Sequence, residues 1–190
     1  LEKGNKVWIT KTSNPNRKLK YTLQIIESHG CKVGINTHLT NKIFYHGLSN
    51  NLLKELKNLK NIIPEVKYDT DTRFDFLINC GKKKSFIEVK NVTLSRKKGV
   101  AEFPDAVTSR GLKHVKKLLE AKTKGYDIYI VFIIQRDDCK TMQIAKDIDL
   151  KYSKLLTLAV KNNLKVICYD CKFSPKGIKL NRQIKLKLNE

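Results

Sequence analysis

Acidic residues are scarce in this chain of 190 residues, which has 18 Asp and Glu against 39 Lys and Arg. The formal charge is therefore 39 − 18 = +21. A field of that sign favours a polyanionic partner, and nucleic acid is the first candidate. The basic residues are mostly Lys, and Ile and Asn are also plentiful, so the compositional bias of an AT-rich genome is the alternative explanation.

Long apolar runs and paired cysteines are also lacking. No run reaches the roughly 18 residues of a membrane span. The five cysteines are odd in number and spread along a chain without a secretory signal, which predicts reduced thiols and a cytoplasmic protein. Cys168 and Cys171 form a single C-x-x-C with no second pair, so a zinc site or redox pair there is the minor alternative. The chain opens on Leu1, which indicates that its true N-terminus is missing and that a targeting segment could not be seen.

The first 40 residues have the pattern of short strands and turns. An apolar stretch at 7–10 precedes a turn cluster, and strands at 19–27 and 31–37 form a hairpin. Three strands cannot close a barrel, so residues 1–40 are predicted to form a partial domain, the later part of a small β-barrel whose opening strands are absent. From 41 to 58 apolar residues recur at helical spacing, although Gly47 could split that helix.

Residues 41–190 are predicted to form an α/β domain, with Pro64 ending its first helical region and a mixed sheet flanked by helices following. Thr108 and Asp149 are the predicted N-caps of the second and third helices. The continuous β-branched and aromatic run at 128–134 predicts a strand buried on both faces. The predicted strands are 65–69, 73–79, 85–94, 128–134, 165–169 and 178–188, and the later helices are 108–122 and 149–162.

The chain is organised around a hairpin at 73–94, where two strand-like stretches flank a polar run containing Gly81. If residues 81–82 are a two-residue turn, residues whose numbers sum to 163 face each other. Glu88 and Lys90, two apart on one strand, then share a face. The predicted facing pairs are Asp75 with Glu88 and Arg73 with Lys90.

Two opposed carboxylates destabilise a sheet unless a cation lies between them. The pattern therefore predicts Mg²⁺ or Mn²⁺ bound by Asp75 and Glu88, with Lys90 as the third catalytic residue. Asp105, in the loop before the second helix, and His114 are accessory candidates. A hairpin whose polar face is simply solvated is the alternative. The arrangement of one Asp followed by Glu-x-Lys resembles the PD-(D/E)XK nuclease fold.

Basic side chains on the barrel and on the second helix are the expected phosphate contacts. These residues are Arg17, Lys18, Lys20, Arg110, Lys113 and Lys117. The competing interpretation is a non-catalytic, DNA-binding transcription regulator whose two later helices read DNA. A buried strand separates those helices, however, so the short helix-turn-helix spacing is lacking.

Several segments together resemble the sugar fermentation stimulation protein A family. They are S-N-P-N-R-K-L-K-Y-T (13–22), G-I-N-T-H-L-T-N (34–41), R-F-D-F-L-I with F-I-E-V-K-N-V-T-L, F-P-D-A-V-T-S-R-G-L-K-H (103–114) and Q-R-D-D (135–138). The resemblance implies an OB-fold-like domain, then a PD-(D/E)XK nuclease-like domain, in a DNA-binding protein linked to regulation of sugar metabolism. It also implies an acid in the first helix, where this chain has His46, which puts metal affinity and activity in question. His46 could still accept or donate a proton and is therefore a third accessory candidate.

Overall fold

The structure is a computed structural model and describes residues 2–57, 59–80 and 83–188. Its helices are α1 (Thr40–Ser49), α2 (Ser109–Thr123) and α3 (Leu150–Lys161), with a 3₁₀ turn at Thr37–Leu39. Its strands are β1 (Val7–Lys11), β2 (Tyr21–Ser28), β3 (Cys31–Gly34), β4 (Leu59–Lys67), β5 (Arg73–Cys80), β6 (Lys83–Val92), β7 (Leu94–Lys97), β8 (Val100–Phe103), β9 (Asp127–Ile134), β10 (Thr141–Ile144), β11 (Lys165–Ser174), β12 (Gly177–Gln183) and β13 (Lys185–Lys187).

A mixed sheet with the strand order β12-β11-β9-β6-β5-β4 forms the centre of the fold. The apolar strand β9 lies between β6 and β11 and is parallel to both. Seven consecutive residues of β9, from Ile128 to Ile134, are buried, as predicted for a strand covered on both faces. The antiparallel hairpin β5–β6 is thereby attached to the most buried strand of the sheet.

Helices cover both faces of this sheet. Phe44 and Leu48 of α1 pack in the core on one face. Leu118 of α2 and Tyr152 of α3 pack in the core on the other face. Burial of Phe44, Leu48 or Leu118 contributes about 1.5–3 kcal/mol each to folding. No helix in the described ranges combines the length and the apolar character needed to cross a bilayer.

The caps of α2 and α3 confirm two predictions and join the two helices. Thr108 Oγ1 accepts a hydrogen bond from the Gly111 amide at 2.9 Å, and Asp149 Oδ1 accepts one from the Tyr152 amide at 2.9 Å. The second oxygen of Asp149 accepts from the Thr108 amide at 3.0 Å. One buried carboxylate therefore caps α3 and fixes the residue that caps α2.

Helix α1 is shorter than the predicted helix at 41–58, since it ends at Ser49. Asn51 has a φ of 54°, a left-handed conformation that ends a helix. Gly47 does not split the helix. A Cβ at that position would clash with the side chain of Leu180 in β12, so Gly47 allows close packing of α1 on the sheet.

Pro64 lies inside β4 and does not end a helical region, contrary to the prediction. The strand predicted at 65–69 begins at Leu59. Since β4 is an edge strand of the main sheet, a residue without an N–H can be accommodated there.

A second sheet, with the order β13-β10-β8-β7, was not predicted as a separate sheet. Its strands have three or four residues each, too few for a period to be recognised. The final strand predicted at 178–188 divides at Ile184, so that β12 belongs to the main sheet and β13 to the second sheet.

Strands β1, β2 and β3 form an antiparallel sheet and confirm the predicted N-terminal strand and hairpin. This sheet is bonded to the segment after β9. The Gly34 amide donates to the Gln135 carbonyl at 2.9 Å, and the Lys32 amide donates to Asp137 Oδ1 at 2.9 Å. Any Cβ at position 34 would clash with the Gln135 side chain, which explains the glycine.

Cys168 and Cys171 belong to opposite cores. Cys168 packs in the core beneath α2 and α3, and Cys171 packs in the core beneath α1. Both thiols are free, and burial raises the pKa of Cys168 to about 12 and also raises the pKa of Cys171. A spacing of three along a strand places side chains on opposite faces, so the geometry does not support a shared zinc or redox site.

Glu102, on β8, provides a prediction about acid stability. It is 3% exposed and accepts from the Arg96 guanidinium at 2.9 and 3.0 Å, from the Arg96 amide and from Gln143. The hydrogen bonds from Arg96 are the largest cause that holds the pKa of Glu102 at about 2, below its ordinary 4.5. This stabilisation is complete above pH 4.5 and is lost as the pH falls towards about 2.

Glu102→Gln is therefore expected to lower the free energy of unfolding at pH 7 by about 2 kcal/mol. The difference from the parent protein should shrink at pH 3, because Glu102 of the unfolded parent, with its ordinary pKa of 4.5, binds a proton there while the folded carboxyl is still largely ionised. Urea denaturation at both pH values measures this. Asp147→Asn, which removes the exposed partner of Arg96, is the control and should change stability little. An equal loss for Glu102→Gln at both pH values would contradict the role given to the ionised carboxylate.

Candidate active site and nucleic-acid interface

The hairpin register is as predicted over five residue pairs, from Phe76–Ile87 to Cys80–Lys83. The turn at 81–82 lies outside the described residues. The ladder ends at Phe76–Ile87, so the predicted facing pairs Asp75–Glu88 and Arg73–Lys90 are not formed. Two like charges would lie side by side if pairing continued, and the strands separate at that point.

Asp75 replaces the missing ladder bond with its own side chain. Its Oδ2 accepts from the Val89 amide at 2.7 Å, and its Oδ1 accepts from Asn41 Nδ2 in α1 at 2.8 Å. Burial and then the charge of Glu88 raise the pKa of Asp75 to about 6, although the bonds from Val89 and Asn41 and the charge of Lys90 oppose this. The two carboxylates are thus close enough to interact without being a cross-strand pair.

Glu88 is 3% exposed. It is contacted by α2, whereas Asp75 is contacted by α1 on the other face of the sheet. Glu88 Oε1 accepts from Lys90 Nζ at 2.6 Å and also contacts His114 Nδ1 of α2. Burial favours the protonated acid, but the bond from His114 and the charge of Lys90 outweigh it and lower the pKa. Glu88 Oε2 is buried and has no hydrogen-bond partner among the described residues.

The carboxylate oxygens of Asp75 and Glu88 are suitable ligands for a hard divalent cation. A buried carboxylate oxygen without a hydrogen-bond partner is costly unless a bound ion or water satisfies it. The oxygens of Asp75 keep lone pairs beyond the two bonds they accept. In the described ranges no three His, Cys, Asp or Glu side chains cluster as metal ligands, so the protein offers two carboxylates. Mg²⁺ is usually bound by one or two carboxylates together with water and substrate phosphates, which matches this set.

A cleft of about 520 Å³ opens beside the carboxylates and is called the basic cleft below. It is lined by Asp71, Arg73, Ser109, Arg110, Lys113 and His114. His114 joins it to Glu88, and Arg73 precedes Asp75 by two residues in β5. The basic cleft therefore lies next to the candidate metal ligands.

Two of the predicted phosphate contacts on α2 are already bound by carboxylates. Lys113 Nζ lies 2.7 Å from Asp71 Oδ2, and Lys117 Nζ lies 2.9 Å from both Asp69 Oδ2 and Glu120 Oε2. A phosphate would have to compete with these ion pairs, so Lys113 and Lys117 are weaker candidates than their charge indicates.

The other predicted phosphate contacts are exposed. Arg110 forms no ion pair with any described residue. Arg17, Lys18 and Lys20 lie in the exposed connection from β1 to β2. Arg17 donates to Thr22 Oγ1 at 2.7 Å, and Lys20 donates to the Pro15 carbonyl at 3.1 Å. Because both acceptors are neutral, the positive charges of Arg17 and Lys20 remain available to a polyanion.

Neither His46 nor Asp105 hydrogen-bonds to the carboxylates of Asp75 and Glu88. His46 is exposed on α1. It lies five residues, or about 140° around the helix, from Asn41, which does contact the site. Asp105 is exposed in the bend after β8 and bonds to none of the residues that the structure describes. The accessory candidate that does contact Glu88 is His114.

Asn41 was missed as a site residue. It is the last residue of the 34–41 segment, and its side chain supports Asp75. The signal available in the sequence was a polar residue at the start of the predicted helix at 41–58. The acid that the family resemblance implies at position 46 pointed to a different residue of the same helix.

Comparisons with known proteins place the chain in a family. A family model described as the sugar fermentation stimulation protein RE domain matches residues 38–177, and one described as the SfsA N-terminal OB domain matches residues 1–35. A sugar fermentation stimulation protein homolog of Pelagibacter ubique is 50% identical over 98% of this chain and 80% of its own length. A homolog of Paramagnetospirillum magneticum is 38% identical over the whole chain and 80% of its own length.

A solved structure, that of Pyrococcus furiosus SfsA in complex with Ca²⁺, is similar with a TM-score of 0.86 and 27% identity. The match covers 95% of this chain and 77% of that one. The fold is therefore a PD-(D/E)XK nuclease-like mixed sheet preceded by an OB-like β unit. More particularly, the chain belongs to the sugar fermentation stimulation protein family, as its sequence segments predicted. The division of the chain at residue 40 stays a prediction.

Proposed function

We propose that this protein is a divalent-metal-dependent nuclease that binds and cleaves DNA. The observation that carries the proposal is the buried Glu88 Oε2, which has no hydrogen-bond partner in the described part of the chain, beside a second, partly buried carboxylate, Asp75. The relative from Pyrococcus furiosus was solved with Ca²⁺, another cation that prefers oxygen ligands, which supports a metal site in this fold. The charge of +21 supports a polyanionic substrate.

In this proposal Asp75 and Glu88 hold Mg²⁺ or Mn²⁺, and Asn41 and His114 fix the orientation of the two carboxylates. When bound, the cation supplies Lewis-acid polarisation of a phosphoryl oxygen and acidifies water. Lys90 places its ammonium at Glu88 Oε1, where it stabilises negative charge that develops on the phosphate or positions the attacking water. Exposed basic side chains contact the DNA backbone, and such contacts do not distinguish the bases. We therefore expect the protein to recognise the shape of the DNA in preference to its base sequence.

The proposal is tested by incubating the full chain with labelled single-stranded, duplex and branched DNA in Mg²⁺, in Mn²⁺ and in chelator, alongside Glu88→Gln. We expect metal-dependent products that disappear in chelator and in the variant. Binding without any product would show a DNA-binding platform that does not cut. Strong preference for one duplex sequence with no metal requirement would favour a transcription regulator instead.

A further inference from the structure

We propose that the basic cleft is a phosphate-binding subsite, separate from the metal ligands, that holds a phosphate group of a nucleic acid strand. The inference rests on the proposed function for its choice of ligand. It adds a site of its own, since neither Asp75 nor Glu88 lines the cleft. The charges that are free there decide what the cleft can bind.

Three cationic side chains and one carboxylate line the basic cleft, which leaves two positive charges. The Asp71 carboxylate forms an ion pair with Lys113 at 2.7 Å and so offsets its charge. Within residues 2–57, 59–80 and 83–188, the side chains of Arg73 and Arg110 have no ion-pair or hydrogen-bond partner, and both are exposed. A guanidinium has five N–H donors in a planar fork that matches phosphate oxygens. Two such groups facing one cleft are suited to an anion with several oxygens.

The position of the cleft indicates which anion. His114 lines the basic cleft and also contacts Glu88, so one side chain lies between the cleft and that carboxylate. A nucleic acid strand with one phosphate at the carboxylates can therefore place another phosphate in the cleft. A volume of about 520 Å³ admits a phosphate together with its sugar. The bound group is either an internal phosphodiester or a terminal phosphomonoester, which carries about −1.5 to −2 at pH 7.

Arg110→Gln is the test variant, and Lys116→Gln is the matched control. Lys116 is an exposed residue of the same helix, about 120° around it from Arg110, and does not line the cleft. Loss of a positive charge near the start of α2 does not oppose the helix dipole, so Arg110→Gln should fold. Binding is measured in chelator, by anisotropy for oligonucleotides with a 5′-phosphate or a 5′-hydroxyl, and by calorimetry for inorganic pyrophosphate.

Arg110→Gln is expected to weaken binding of pyrophosphate and of DNA about tenfold, with Lys116→Gln within about twofold of the parent protein. A loss confined to the 5′-phosphorylated strand would assign a terminal phosphate, and an equal loss for both strands would assign an internal phosphodiester. Equal effects of the two substitutions on pyrophosphate and on DNA would overturn the subsite. If the two substitutions have equal effects and the protein still cleaves DNA with metal, the subsite is wrong and the nuclease proposal holds. If only Arg110→Gln weakens pyrophosphate binding and the parent protein does not bind DNA, the subsite holds and the nuclease proposal is wrong.

Discussion

Asp75→Asn is expected to weaken binding of Mg²⁺ or Mn²⁺ at least about 100-fold, because it removes one of the two carboxylates available for the cation. The same substitution should raise the stability of the metal-free protein by about 1–3 kcal/mol, since it removes a partly buried charge that Glu88 repels. The side-chain oxygen of the substituted amide can still accept from the Val89 amide, and the Asn41 amide can turn to present its oxygen. Calorimetric metal titration and urea denaturation in chelator give the two values.

Asp105→Asn is the control, because it removes an exposed carboxylate that bonds to none of the described residues. It should change neither metal affinity nor stability, and a loss of metal affinity would restore Asp105 as an accessory ligand. The opposite changes expected for Asp75→Asn separate a functional carboxylate from a structural one. A variant that binds metal as the parent does, or that is less stable in chelator, would contradict the role given to Asp75.

Lys90→Ala is expected to reduce cleavage at least about 100-fold while leaving DNA affinity within about twofold. The ammonium lies 2.6 Å from Glu88 Oε1 and is largely buried, so it acts at the carboxylates and not on the open backbone-binding surface. One charge among 39 basic residues contributes little to overall affinity. Single-turnover cleavage and anisotropy, measured on the same DNA, give the two quantities.

Lys83→Ala removes an exposed positive charge from the same strand, β6, and should leave cleavage unchanged. Lys90→Gln addresses the risk of unfolding, because it keeps a hydrogen-bond donor for the buried Glu88. If both Lys90 variants are folded and cut DNA as the parent does, Lys90 has no part in the reaction.

Local sequence patterns predicted much of this fold. The predicted register of β5 and β6 is observed from Phe76–Ile87 to Cys80–Lys83, and Thr108 and Asp149 cap their helices as expected. Each of those features depends on residues close together in the chain. Strands of three or four residues, such as those of the second sheet, carry no period and were not separated.

The candidate site was predicted only in part, because its geometry depends on contacts between distant segments. Asn41 reaches Asp75 across 34 positions of sequence, and His114 reaches Glu88 across 26. Neither contact leaves a periodic signal. The predicted register would place the two carboxylates opposite each other. The strands separate there because the carboxylates repel each other and because the Val89 amide donates to Asp75 instead.

The bond from the Val89 amide to Asp75 gives this site a built-in spectroscopic reporter. An amide that donates to a carboxylate changes its proton chemical shift when that carboxylate gains a proton or a ligand. Val89 is buried, and Asp75 Oδ2 accepts its N–H at 2.7 Å. One cross-peak in a ¹H–¹⁵N spectrum therefore follows the state of the side chain at the centre of the proposed chemistry, in the absence of substrate and without a label attached to the site.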